Sequence, residues 1–183
     1  MKRRIALGIV VWSITGLMMA QASMGQDISR DGLKGDKTLL QARDKKFVVT
    51  VAQDDMTEVK LGEIARERAT SPLLKNFGEQ MVRDHGRAAD TLKIIASQKS
   101  VTMPLTLDAE HQGTVDGLVK LEESQFDMAY LDQMIDAHKN AVRTVTAEQQ
   151  TTDGELRRWT MDNLPIIQAH LDMALEIKNK IGR

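Results

Sequence analysis

The sequence predicts an all-α fold in which four long helices pack as a bundle, with a long, partly helical crossover between the second and third. Three observations predict it. Only 3% of residues are aromatic and three are proline, while Ala, Leu, Met, Lys, Glu and Gln abound, which favours helix over sheet. Apolar residues recur every three or four positions through four stretches of about 26 residues. Turn-forming residues separate those stretches and leave one link of about 25 residues.

The 183-residue length suits one domain with a hydrophobic core. The absence of cysteine removes disulfides, thiol nucleophiles, thiolate metal sites and iron–sulfur clusters. Residues 1–22 read as a secretory signal peptide. Lys2, Arg3 and Arg4 precede a largely apolar run, and Ala20-Gln21-Ala22 offers a small-x-small cleavage site near Ala22. Ser13, Thr15 and Gly16 interrupt the apolar run, so a cleaved leader is expected rather than a stable membrane anchor. Cleavage would leave 22 basic against 26 acidic side chains, a formal charge of −4, in an exported, most naturally periplasmic, protein. That balance gives no general attraction to nucleic acid. Residues 23–43, with Gly25, Gly32 and Gly35 among polar neighbours, read as a flexible lead-in to a domain spanning 44–181.

The first helix is expected from Asp44 to Ala69, its stripe carried by Phe47, Val51, Ala52, Val59, Gly62 and Ala65. Gly62, Ala65 and Ala69 also make a small-residue patch suited to close helix contact. Ser71-Pro72 supplies a cap and a first-turn proline for the second helix, expected to run to Gln98. So tight a join makes these two antiparallel neighbours. Pro104 breaks the chain, Asp108 caps a short helix ending near Leu121, and a third long helix spans Ser124 to Gln149. The turn at Thr151 to Gly154 leads into the last helix, which ends near Lys180 and contains Pro165, where a kink is expected. A link that is itself partly helical can return along the bundle, so the third helix starts at the same end as the second. This is the ferritin-like arrangement; simple up-down-up-down topology is the alternative.

The topology bears on chemistry. His85, His138 and His170 stand in the apolar stripes of the second, third and fourth long helices, and Glu58 in that of the first. At 1.5 Å per residue, the crossover places them at heights of roughly 18 to 21 Å for Glu58, His85 and His138, and roughly 15 Å for His170. Alternating topology would displace His170. One carboxylate and three imidazoles at one level suit a single divalent metal such as Zn, Fe, Mn or Cu, and binding should weaken below about pH 6 as imidazoles protonate. Asp84, Tyr130, Asp127 and His111 are candidates to orient these groups, with Glu63 and Glu79 as further acids. The alternative is a metal-free hydrogen-bond network inside a non-enzymatic envelope module whose outer faces meet a protein or the cell wall. His111 either faces the bundle or meets solvent.

Other chemistries lack their residues. A standard di-iron site needs Glu three positions before its histidines, where Val82, Ile135 and Ile167 stand instead. The methionines are scattered as core fillers, no nucleophile elbow presents a serine, and Gly113 and Gly117 make no phosphate loop. No catalytic constellation is assigned.

Several segments resemble the bacterial family catalogued as domain of unknown function 4142. They are Glu58-Val59-Lys60-Leu61-Gly62, Phe77 through His85, Leu107 through Gln112, Phe126 through Tyr130, Ala137-His138-Lys139, Leu164-Pro165 and Ala169-His170-Leu171. The resemblance runs from about Lys46 to Met173 and implies an exported, ferritin-like bundle. It carries over Glu58, Asp84, His85, His111, Tyr130, His138 and His170 as characteristic positions, and implies no activity. Members are sometimes described as outer-membrane proteins, but this chain has no transmembrane β-strand pattern.

Overall fold

A computed structural model describes residues 39–182, Ser124's side chain excepted; the expected signal peptide and most of the lead-in lie outside the described residues. Five helices follow in order: α1 (Ala42–Arg68), α2 (Pro72–Gln98), α3 (Ala109–Val119), α4 (Glu123–Glu148) and α5 (Gly154–Ile181). Each falls within two residues of its expected bounds. Asp108 caps α3 by accepting the His111 N–H, and Asp153 caps α5 by accepting from Glu155 and Leu156. Ser71 occupies the N-cap of α2 but makes no side-chain cap. α5 runs unbroken through Pro165.

Three tethers fix the topology. Asp127, near the start of α4, accepts from Thr70 N, Thr70 Oγ1 and Ser71 N at 3.1, 2.6 and 3.0 Å, so α4 begins beside the α1–α2 turn. Thr151, just past α4, donates to Asp44 at the start of α1, so α4 ends at the opposite pole. Lys99, at the end of α2, is buried against Asp153 at the start of α5, with Nζ 2.7 Å from Oδ2. The chain therefore climbs back between α2 and α4, as the ferritin-like crossover requires. Gln53 on α1 holds that link by bonding Thr106 O and Asp108 N, and Arg68 bonds Val119 O and Leu121 O at its far end. α3 consequently lies along α1 and α4.

α1 and α2 pack closely because two glycines face each other. A Cβ on Gly62 would stand 2.7 Å from Gly78 O, and a Cβ on Gly78 the same distance from Gly62 O. The small-residue patch of α1 thus meets a backbone partner on α2.

The core is in two parts. One, toward the α1–α2 turn, gathers Leu61, Phe77, Met81, Phe126, Met134 and Leu171 among others. The second, toward the opposite pole, gathers Phe47, Val51, Leu92, Val145, Leu156 and Trp159. Between them each of the four long helices contributes a polar side chain to the interior: Glu58, His85, His138 and His170. No helix among the described residues is long and apolar enough to cross a membrane.

Candidate metal centre

The polar layer is as buried as the apolar cores on either side. Exposure is 0% for His138 and His170, 5% for His85, and 4% for Glu58 and Asp55. The imidazole rings form a near-equilateral cluster, with centroid separations of 5.5 Å for His85–His138, 5.3 Å for His85–His170 and 5.4 Å for His138–His170. One ligating nitrogen from each histidine lies within 4.8 Å of one from each of the others.

One nitrogen of each ring is anchored. His138 Nδ1 lies 2.8 Å from Met134 O, an oxygen that only accepts, so the proton sits on Nδ1. His170 Nε2 lies 3.1 Å from Asp84 Oδ2. Burial would raise Asp84, but its bond with His170 and the Arg83 charge hold its carboxyl below the ordinary range; it is an acceptor, and Nε2 carries the proton. His85 Nδ1 lies 2.8 Å from both Asp55 Oδ1 and Glu58 Oε2. Those anchors leave His85 Nε2, His138 Nε2 and His170 Nδ1, all buried and all without a hydrogen-bond partner among the described residues. Each such nitrogen costs about 1–3 kcal/mol if nothing binds it. A cavity of about 30 Å³ bordered by Asp55, Glu58, His85 and His170, though not by His138, is about the size of one water or one ion.

The titration behaviour follows from the same contacts. Burial disfavours a charged His85, but Glu58 and Asp55 outweigh it and raise its pKa to about 10. Glu58 answers in kind: burial pushes it up, yet the neighbouring imidazoles, His85 foremost, bring it down to about 2. Asp55 is raised to about 6 because burial outweighs its bond with His85. His170 is lowered to about 4 by burial and by the neighbouring His85 charge.

The structure thus brings Glu58, His85, His138 and His170 together and sets Asp84 behind His170. Glu58 meets both partners at Nδ1, at 2.8 Å on His85 and 3.4 Å on His138. Asp127 is elsewhere, occupied by the α1–α2 turn. Tyr130 packs between Phe77 and Phe126, its hydroxyl without a hydrogen-bond partner among the described residues, so it bonds to no member of the cluster. His111 is partly buried outside the cluster, tied to Asp108 at 2.7 Å and Asp54 at 3.2 Å. Glu79 is exposed, and Glu63 is partly exposed and paired with Lys60. Asp55 was missed by sequence reasoning, although its place four after Val51 and three before Glu58 puts it on the inner stripe of α1.

Residues 33–177 match the model of one protein family, described as domain of unknown function DUF4142. The chain belongs to this family. No curated protein sequence matches this DUF4142 member. Solved structures with the same fold include a DUF305 fragment from Deinococcus radiodurans, 14% identical, covering 79% of this chain and 100% of that one with a TM-score of 0.71. CopM in its Cu(I)-bound form is 21% identical, with coverage of 75% and 96% and a TM-score of 0.64. CopM co-crystallised with Ag is 20% identical at the same coverage, with a TM-score of 0.63. At these identities the likeness is one of fold.

Proposed function

We propose that this DUF4142 protein is an exported metal-binding bundle holding one transition-metal ion through His85 Nε2, His138 Nε2 and His170 Nδ1. The observation that carries this reading is the set of three buried nitrogens left without a partner while the other nitrogen of every ring is anchored. An oriented imidazole whose outer N–H meets a carboxylate or carbonyl is the usual form of a metal-binding histidine. Imidazole ligands suit Zn, Cu, Fe and Ni, and Cu²⁺ heads the divalent affinity order. The copper-bound and silver-bound forms of CopM support copper as the first ion to test. In this reading Glu58 and Asp55 orient His85 and balance the ion's charge. Glu58 acts from the Nδ1 side of His85 and His138 rather than as the fourth ligand its sequence position suggested. A metal-free network would need a buried water in the same small cavity to meet these nitrogens, and metal retention separates the two readings.

Protein purified without a polyhistidine tag, equilibrated with Cu, Zn, Fe or Mn and desalted, should retain one ion per chain by elemental analysis. Less than about 0.2 per chain with every metal contradicts the reading. His138→Ala should lose the ion, whereas Glu58→Gln should keep the stoichiometry with weakened affinity.

A further inference from the structure

A second cavity, of about 360 Å³, lies between α1, α3 and α4, under the crossover. Its rim carries the exposed residues Glu110, Asp136 and Asn140 and the half-exposed Asp54 side chain, and its deeper wall includes the buried Glu58. Asp54 and Glu58 border the small cavity beside the histidines as well, so they stand between the two spaces. The rest of the small cavity's wall is mostly apolar, including Val51, Ala88, Val145, Trp159 and Ile167, with Asp84, Thr144 and Asn163 as its other polar members. A hydrated cation gives up its water most readily where oxygen ligands replace it, and an acid-lined cleft raises the local cation concentration. α3 forms one side of this cleft and is fixed there by His111 on Asp54 and by Gln53 on Asp108 N.

We infer that metal cations reach the buried imidazoles through this acid-lined cavity, passing from Glu110 and Asp136 by way of Asp54 and Glu58, with the crossover helix as its wall. The inference rests on the metal-centre reading and assigns the crossover a role in loading.

Stopped-flow growth of the visible absorption of imidazole-bound Cu²⁺ tests it, because that band reports ligation by the buried rings and is blind to added tryptophans. Thr114→Trp, which narrows the acidic cavity, should slow loading at least about tenfold and slow release equally, leaving affinity and stoichiometry unchanged. Thr144→Trp, at the exposed edge of the inner cavity where a direct opening would lie, should leave the rate within about twofold. Slowing in both variants, in neither, or only in Thr144→Trp overturns the inference. Should Thr114→Trp fail to fold, Glu110→Gln with Asp136→Asn serves instead. It should lower the association rate about three- to tenfold and flatten its dependence on salt, and an unchanged rate is a contradiction. Absence of bound Cu²⁺ at equilibrium would instead defeat the metal centre itself, and the route with it.

Discussion

His85 and His170 have ring centres 5.3 Å apart and shift in opposite directions, because Glu58 and Asp55 face one ring while the other meets burial and its neighbour's charge. With the pKa of metal-free His85 at about 10, an incoming ion must displace its proton throughout the neutral range. Affinity should therefore fall about tenfold per pH unit as pH drops below about 10, rather than beginning to weaken near 6. Titrations with Cu²⁺ between pH 6 and 9 read this directly, and a flat profile would count against it. Asp84 fixes His170 with Nδ1 available, so Asp84→Asn should weaken metal affinity about 10–100-fold while the chain still saturates at one ion. At this scale the sequence showed which imidazoles and which glutamate share a level, since axial height follows from residue counts. It did not show the ring anchors. Those depend on side-chain torsions and on neighbours distant in sequence, which is why Asp127 looked like a site residue and serves a turn.

At the scale of elements, the α1–α2 pair depends on Gly62 and Gly78. Gly62→Ala should lower stability by about 1–2 kcal/mol despite alanine's better helix propensity, because its methyl would meet Gly78 O. Gly86→Ala, in the same helix as Gly78 with nothing within 4 Å, should instead gain about 0.5–1 kcal/mol. Chemical denaturation separates the two. The end of α4 gives a pH test. Glu148 is pushed up to about 7 by burial and by the neighbouring Asp44 carboxylate, against the pull of Arg43. Its folded pKa lies above its unfolded value, so its contribution is fully present below about pH 4.5 and is lost as pH rises through 7. Glu148→Gln should accordingly raise Tm by a few degrees at pH 8 and little at pH 4.5; the reverse order would contradict this. Helix boundaries were legible because Pro72, Asp108 and Asp153 mark starts by simple chemistry. The Gly62–Gly78 contact was half legible: the patch on α1 was visible, its partner on α2 was not.

For the whole molecule, the returning link decides whether a centre exists at all. The crossover aligns four polar residues between two apolar cores, and the tethers at Asp127, Thr151 and Lys99 hold that register. Its existence was legible from the length and partial helicity of the link. The exact seating of α3 on α1 and α4 was not, because it depends on Gln53 and Arg68 reaching backbone atoms more than 50 positions away. An ion bridging three helices should stabilise the fold. At a free concentration a hundredfold above Kd the gain is about 2.7 kcal/mol, which raises Tm by about 5–10 °C and is reversed by chelator. His85→Ala should show no such rise. The most direct measurement is anomalous diffraction from crystals of copper-loaded protein. A single strong peak about 2.0–2.1 Å from His85 Nε2, His138 Nε2 and His170 Nδ1 is the predicted result. Peaks confined to surface groups such as His111, with none among the three buried rings, would contradict it.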